Sequence, residues 1–177
     1  MTIKYIQGDL FSAPRPVILL HACNCEGLWG SGIAAEFKNR FGDAHKAYVK
    51  HCERYGEELL GTTGIIKDSS DSNLYIGCLF TSRAGGRQCD PPKKILVTTY
   101  HCLMDLKAQL QEPMYKNVTL AACQFNSGVF QVPWEYTAHM IEEAGLDVSV
   151  YVRKSEEAES EAASGSDASK PTQPHNA

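Results

Sequence analysis

Residues 21–37, HACNCEGLWGSGIAAEF, run from the end of an apolar stretch through three glycines into a segment of helical spacing. A strand that becomes a helix over so short a turn leaves the helix N-terminus bare, with N–H groups that have no intrahelical acceptor. Gly30-Ser31-Gly32-Ile33-Ala34-Ala35 fits G-x-G-x-x-A at that junction, where free amides and the helix dipole suit a phosphate. A nicotinamide-dinucleotide unit needs in addition an acidic residue ending the next strand about 20 residues on. That region here is YVKHCERYG, which reads as a helix. The turn therefore predicts a phosphate-binding loop without that cofactor. The plainer alternative is that the glycines only permit a tight turn.

The same strand-then-helix logic extends along the chain. IKYIQ (3–7), VILLHA (17–22), TGIIK (63–67), LYIGCLF (74–80), VTLAAC (118–123) and DVSVYV (147–152) are short runs rich in β-branched or aromatic residues, the pattern of strands. GIAAEFKNRF (32–41), AHKAYVKHCERY (44–55), KKILVTTYHCLMDLKAQL (93–110) and WEYTAHMIEEA (134–144) have helical spacing or length, and Pro92 and Pro133 precede two of them. This order predicts an α/β layer fold with a largely parallel, buried centre. The neighbours of the first and last strands are the least defined by it.

At 177 residues the length suits one core. Of 17 basic and 21 acidic residues, one and five lie in SEEAESEAASGSDASKPTQPHNA (155–177), leaving 16 of each in residues 1–154. The expectation is a neutral folded domain over 1–154 and a disordered acidic tail over 155–177, since that tail has no large apolar residue to offset its ordering entropy. Neither part offers a broad basic field, so nucleic acid is disfavoured as a main partner. The first residues lack a basic-then-apolar leader, and no apolar run approaches the roughly 18 residues of a membrane span. Seven cysteines, several within apolar runs (Cys78, Cys102, Cys123), suggest buried free thiols in a reducing compartment, cytosol or nucleus.

A second amide-rich loop follows the fifth strand. In QFNSGVFQVP, Asn126, Ser127 and Gly128 can present backbone N–H groups, and Phe130 can offer a face to a ring. Loops at the carboxyl ends of parallel strands converge on the ligand crevice, so the two loops can grip two phosphates. Read alone, this loop is equally a turn with a core Phe. The Gly-rich TSRAGGRQ after the fourth strand can border the same crevice, although Arg83 and Arg87 also suit a solvated surface. His21, Cys23 and Cys25 alternate as H-x-C-x-C, but no second Cys/His cluster completes a structural-zinc pattern, and no metal is expected. G-x-x-x-x-G-K-[ST], a Cys followed at the sixth position by Arg, and a tight Asp/His cluster for two metals are all missing from the sequence.

Together GDL (8–10), HACNC (21–25), GLWGSGIA (27–34) and FNSGVFQVPW (125–134) resemble the macrodomain family, within it a divergent fungal branch of phosphatases. The resemblance spans residues 3–152, includes CLFTS (78–82), and implies a three-layer α/β/α sandwich with a mixed, largely parallel six-stranded sheet. It implies that Asp9 accepts from an adenine amino group, that the Leu10 amide meets the ring, and that Asn24 holds the distal ribose. The amides of Gly30, Ser31, Gly32, Ile33 and Ala34 would hold one side of a diphosphate and the distal phosphate. Asn126, Ser127, Gly128, Val129 and Phe130 would close over the other side, with Cys23 and Trp29 completing the binding set.

Two departures refine that expectation. Common macrodomains carry Asn where this chain has His21, which supplies an imidazole whose ordinary pKa of about 6.5 suits proton transfer. His21 is the expected catalytic residue, as acid or base first, as nucleophile or ribose ligand otherwise. Related glycohydrolases use a Lys after the fourth strand and an Asp in the second loop, where this chain has Ser82 and Phe130. The resemblance thus implies metal-independent, cofactor-free hydrolysis of the terminal phosphate of ADP-ribose 1''-phosphate, a tRNA-splicing by-product. The alternatives are a non-catalytic ADP-ribose-binding module, free or protein-linked ADP-ribose being its partner, and an esterase that removes ADP-ribose from modified acidic residues.

Overall fold

The computed structural model describes residues 2–153; the expected acidic tail, 155–177, lies outside the described residues. The elements run β1 (Ile3–Gln7), β2 (Val17–Asn24), α1 (Gly32–Arg40), α2 (Gly42–Tyr55), β3 (Thr63–Lys67), β4 (Leu74–Ser82), α3 (Pro92–Gln109), β5 (Thr119–Ala122), α4 (Trp134–Ala144) and β6 (Val148–Val152). Each lies within two residues of its sequence-based bounds, because the apolar runs and helical spacings are local signals. β2 continues two residues past Ala22 to Asn24, β4 two past Phe80 to Ser82, and α2 begins two residues earlier, at Gly42.

The strands form one sheet in the order β1-β6-β5-β2-β4-β3. All neighbours are parallel except β3, which runs antiparallel to β4. β1 pairs with β6 from Ile3↔Val148 to Gln7↔Val152, so the first and last strands share one edge of the sheet.

Strand alternation sends side chains to two cores. Val17, Leu19 and Cys23 of β2 join Leu74, Ile76, Cys78 and Phe80 of β4 against Phe37 of α1 and Tyr48 of α2. Ile18 and Leu20, with Tyr75 and Leu79, meet Cys102, Leu103 and Leu106 of α3 and Ile141 of α4 on the other face. A sheet apolar on both faces and covered by helices on both is the α/β/α sandwich. Gly77 shows how tight the second layer is: a Cβ there would lie 2.5 Å from Leu20 Cδ2 and 2.9 Å from Ile18 Cγ2.

The seven cysteines form no disulfide; five are buried and Cys89 and Cys123 are half-buried. Cys123, expected in the core, instead borders the cavity described below. No helix of the described residues is long and apolar enough to cross a membrane.

Candidate functional site

The carboxyl ends of β1, β2, β4, β5 and β6 open into a cavity of about 710 Å³, the size of a small-molecule site. Three loops wall it: the turn into α1 (Gly30–Ala34), the loop after β4 (Gly85 and Gly86) and the loop after β5 (Cys123–Phe130).

The first wall is built from bare backbone. Ser31 occupies the N-cap position of α1 without a side-chain cap bond, and the first turn carries no acidic residue. The leading amides of α1 thus keep their hydrogen-bonding capacity for a ligand, with the positive end of the helix dipole behind them. Gly32 has φ +59°, and Cβ atoms at Gly30 or Gly32 would meet nothing within 4 Å. The glycine at 32 is required by backbone conformation, and the space beside it belongs to the cavity.

The second wall is held from within. Asn126 has φ +66° and is buried. Its Oδ1 accepts from the Thr81 hydroxyl at 3.0 Å, and its Nδ2 donates to Thr99 Oγ1 at 2.9 Å and Thr137 Oγ1 at 3.3 Å. Its backbone oxygen accepts from Val132 N at 2.8 Å. One side chain thereby ties the loop to β4, α3 and α4, leaving the 127–130 backbone along the cavity. Ser127 donates its hydroxyl to Gln124 O, and Val129 is exposed at the rim.

The third wall is a clamped loop. Asp90, almost fully buried, accepts from the Arg83 amide at 3.0 Å and from Arg83 Nε at 3.0 Å. Ser82 Oγ accepts from Asp90 N and donates to Ala84 O. Burial alone would raise the Asp90 carboxyl, but the Arg83 hydrogen bonds and the nearby Lys94 outweigh it and hold it below the ordinary carboxylate value. The clamp presents Gly85 and Gly86 to the cavity, whereas neither Arg83 nor Arg87 lines it.

Several expected ligand residues take other roles. Asn24 lines the cavity, yet its Oδ1 accepts from Glu26 N at 3.0 Å and Leu28 N at 3.3 Å, and its Nδ2 donates to Leu28 O at 2.9 Å. It shapes the turn that leads to Gly30. Asp9 lies beside the main cavity, in a shallower recess with Gln7, Gly8 and Arg153; its Oδ1 caps Phe11 N at 3.0 Å. Leu10 and Cys23 line the main cavity.

His21 and Trp29 lie in the core rather than on the cavity wall. His21 is 0% exposed, stacked on Phe37 at 4.1 Å with Trp29 edge-on at 4.8 Å. Trp29 is buried and stacks on Tyr48 at 4.7 Å. Neither lines the cavity. β2 alternation turns the odd-numbered side chains toward α1 and α2, so the imidazole lies among aromatic rings, shielded from the solvent and substrate that acid–base work requires.

The titratable side chains that do line the cavity are Cys23, Glu36, Cys123, Tyr151 and Arg153. Arg153 Nη2 bonds both oxygens of Glu36, at 2.8 and 2.6 Å, joining β6 to α1 beside the cavity. Sequence reading passed over both, since 117 residues separate them and only the sheet order joins them. Burial pushes the Cys25 thiol up to about 12 and the Cys52 thiol up to about 11, which leaves neither as a ready nucleophile.

A buried mixed sandwich with an amide-lined cavity at its strand ends defines a ligand-binding α/β domain, and the chain belongs to the macrodomain family, whose Macro domain profile matches residues 20–141. Among its relatives, an ADP-ribose 1''-phosphate phosphatase of Lodderomyces elongisporus is 40% identical over 163 residues, covering 86% of this chain and 99% of that protein. The solved macrodomain of Thermus aquaticus DarG is 27% identical at a TM-score of 0.69, covering 85% of this chain and 98% of that one. Thermosipho africanus DarTG, solved in complex with ADP-ribose, shares the fold at a TM-score of 0.68 and 16% identity over 85% of this chain and 41% of that one.

Proposed function

We propose that this macrodomain binds ADP-ribose 1''-phosphate and hydrolyses its terminal phosphate to give ADP-ribose and inorganic phosphate. The carrying observation is the pair of facing turns: Gly30–Ala34, opening a helix without a side-chain cap, and Asn126–Phe130, locked by one buried asparagine. Two such turns suit a ligand with more than one phosphate. Relatives that match nearly end to end and carry the phosphatase name support the same substrate. The seven cysteines without a disulfide support a site of action in the cytosol or nucleus.

In this reading the α1 amides stabilise charge on the phosphoryl oxygens as it redistributes toward the leaving sugar, the electrostatic contribution that usually dominates such sites. The walls orient the ester for attack by water. With His21 held in the core, catalysis rests on positioning and on cavity groups such as the Arg153–Glu36 pair. That same burial favours the second reading, a module that binds free or protein-linked ADP-ribose without turnover.

Phosphate release decides between them. The purified chain should convert ADP-ribose 1''-phosphate to ADP-ribose with one phosphate freed per molecule. Tight ADP-ribose binding without phosphate release would establish the module instead.

A further inference from the structure

The H-x-C-x-C alternation of β2 finds its partner across the sheet. His21 pairs in register with Cys78 of β4, and the ligand atoms of His21, Cys23 and Cys78 all lie within 4.8 Å of one another, every one buried. Cys23 Sγ is 3.6 Å from His21 Nε2 and 3.7 Å from Nδ1. Cys25, the third residue of the alternation, is not part of the group: its thiol donates to Ser82 O at 3.6 Å.

We propose that His21, Cys23 and Cys78 bind a thiophilic metal cation, zinc(II) or copper(I), in the core beneath the ligand cavity. This assignment goes beyond the phosphatase reading and needs no part of it. With metal–sulfur bonds of about 2.3 Å and metal–nitrogen bonds of about 2.0–2.1 Å, ligand atoms around one ion are held about 3.5–4 Å apart. The cluster already spans nearly that separation, so closing on an ion needs movements of about 1 Å at most.

Two thiolates and an imidazole form a soft donor set, which selects zinc and copper(I) over magnesium, calcium or manganese. Charge favours zinc(II): loading releases one proton from each thiol, and the two thiolates then balance the ion in an apolar setting where a net charge is costly. Coordination number favours copper(I), which is satisfied by three ligands. An independent observation points to the same place. The Trp29 indole Nε1 is buried with no hydrogen-bond partner, on a ring that lies edge-on to the His21 imidazole at 4.8 Å. An N–H beside a metal thiolate is the outer-shell support such ligands receive. Phe37 stacks on the imidazole and shields it from water. An ion here would bridge β2 and β4 under Cys23, whose other side borders the cavity.

The full chain, reduced, stripped with chelator and unfolded, is refolded under argon with an equimolar amount of zinc(II) or of copper(I), then desalted. One ion per chain should be retained from at least one of the two arms, with an X-ray absorption shell of two sulfurs and one nitrogen. Which arm retains it identifies the metal. Cys25→Ser should keep the ion, whereas Cys23→Ser and Cys78→Ser should lose it. Absence of bound metal in both arms, a first shell without sulfur, or retention by the Cys23→Ser/Cys78→Ser double variant overturns the proposal. The shell is measured on the unsubstituted chain, so a variant that fails to fold leaves the test intact.

Discussion

The two turns that face each other across the cavity reach the same end by opposite means. At Gly32 the chain enters the left-handed region with no side chain, and the space beside it is open. At Asn126 it does so with a side chain whose amide is consumed by three threonine hydroxyls from three elements. Both leave backbone groups along the cavity. The first turn can be altered at Gly32 with little cost to packing, because no atom lies beside it. The second cannot, because the group that sets its conformation is also core.

Breaking the second turn should have the largest effect. Asn126→Ala removes the acceptor of Thr81 and the donor to Thr99 and Thr137 while placing alanine at φ +66°. Buried hydroxyls left unpaired and a strained backbone together should cost about 3–5 kcal/mol of folding stability. Urea denaturation reads this directly, and a loss under about 1 kcal/mol would show that Asn126 does not hold the loop.

Breaking the first turn should cost the fold only the backbone strain of a side chain at φ +59°, about 1–2 kcal/mol, and abolish the ligand. Gly32→Glu places a carboxylate in the anion's approach, and ADP-ribose affinity by calorimetry should fall at least about a hundredfold, equivalent to about 2.7 kcal/mol. Near-normal affinity in a folded Gly32→Glu chain would remove this turn from the site.

The third wall sharpens the contrast, since it is locked by charge. Asp90→Asn should lower stability at neutral pH by about 1–3 kcal/mol through its weakened bonds to Arg83. Asp90 is depressed in the folded chain, so its contribution is complete above the ordinary carboxylate pKa. It is lost as pH falls below that value through the folded one. Unfolding measured from neutrality to acid should show the difference between wild type and Asp90→Asn shrinking only at the acid end; a gap that does not change there would refute the ion-pair account.

The smallest effect belongs to the side recess. Asp9→Ala should weaken adenine-containing ligands by about 1 kcal/mol and leave ribose phosphate unaffected, because one carboxylate oxygen already caps Phe11. Equal losses for both ligands would show that Asp9 does not contact the base.

Much of this was readable locally. The six strands, the four helices and both amide-bearing turns follow from runs of neighbouring residues, and nothing distant is needed to see Gly30-Ser31-Gly32 opening a helix. Cys25 shows the limit: H-x-C-x-C offers it as a partner of His21, yet the bulge after Cys23 ends the alternation, and its thiol turns to Ser82. Asn126 was legible as a residue of the site but not as its scaffolding, because its partners come from β4, α3 and α4; Asn24 adds to its local bonds with Glu26 and Leu28 a distant one, from the Tyr48 hydroxyl of α2 at 3.1 Å.

By itself the sequence determined which segments are strands and helices, where bare amides stand at a helix start, and that the centre is apolar on both faces. Those are properties of hydrogen-bonding geometry and side-chain spacing over a few residues. Only the tertiary structure decided that His21 and Trp29 point into the core, that Cys78 meets His21 and Cys23, that a Cβ at Gly85 would lie 2.8 Å from Asn24 Nδ2, and that Arg153 reaches Glu36. Parallel strands are joined by long crossovers, so which strand lies beside which, and in what register, is settled by the burial of whole faces against helices. A shift of one residue in that register would turn every side chain of a strand to the opposite layer.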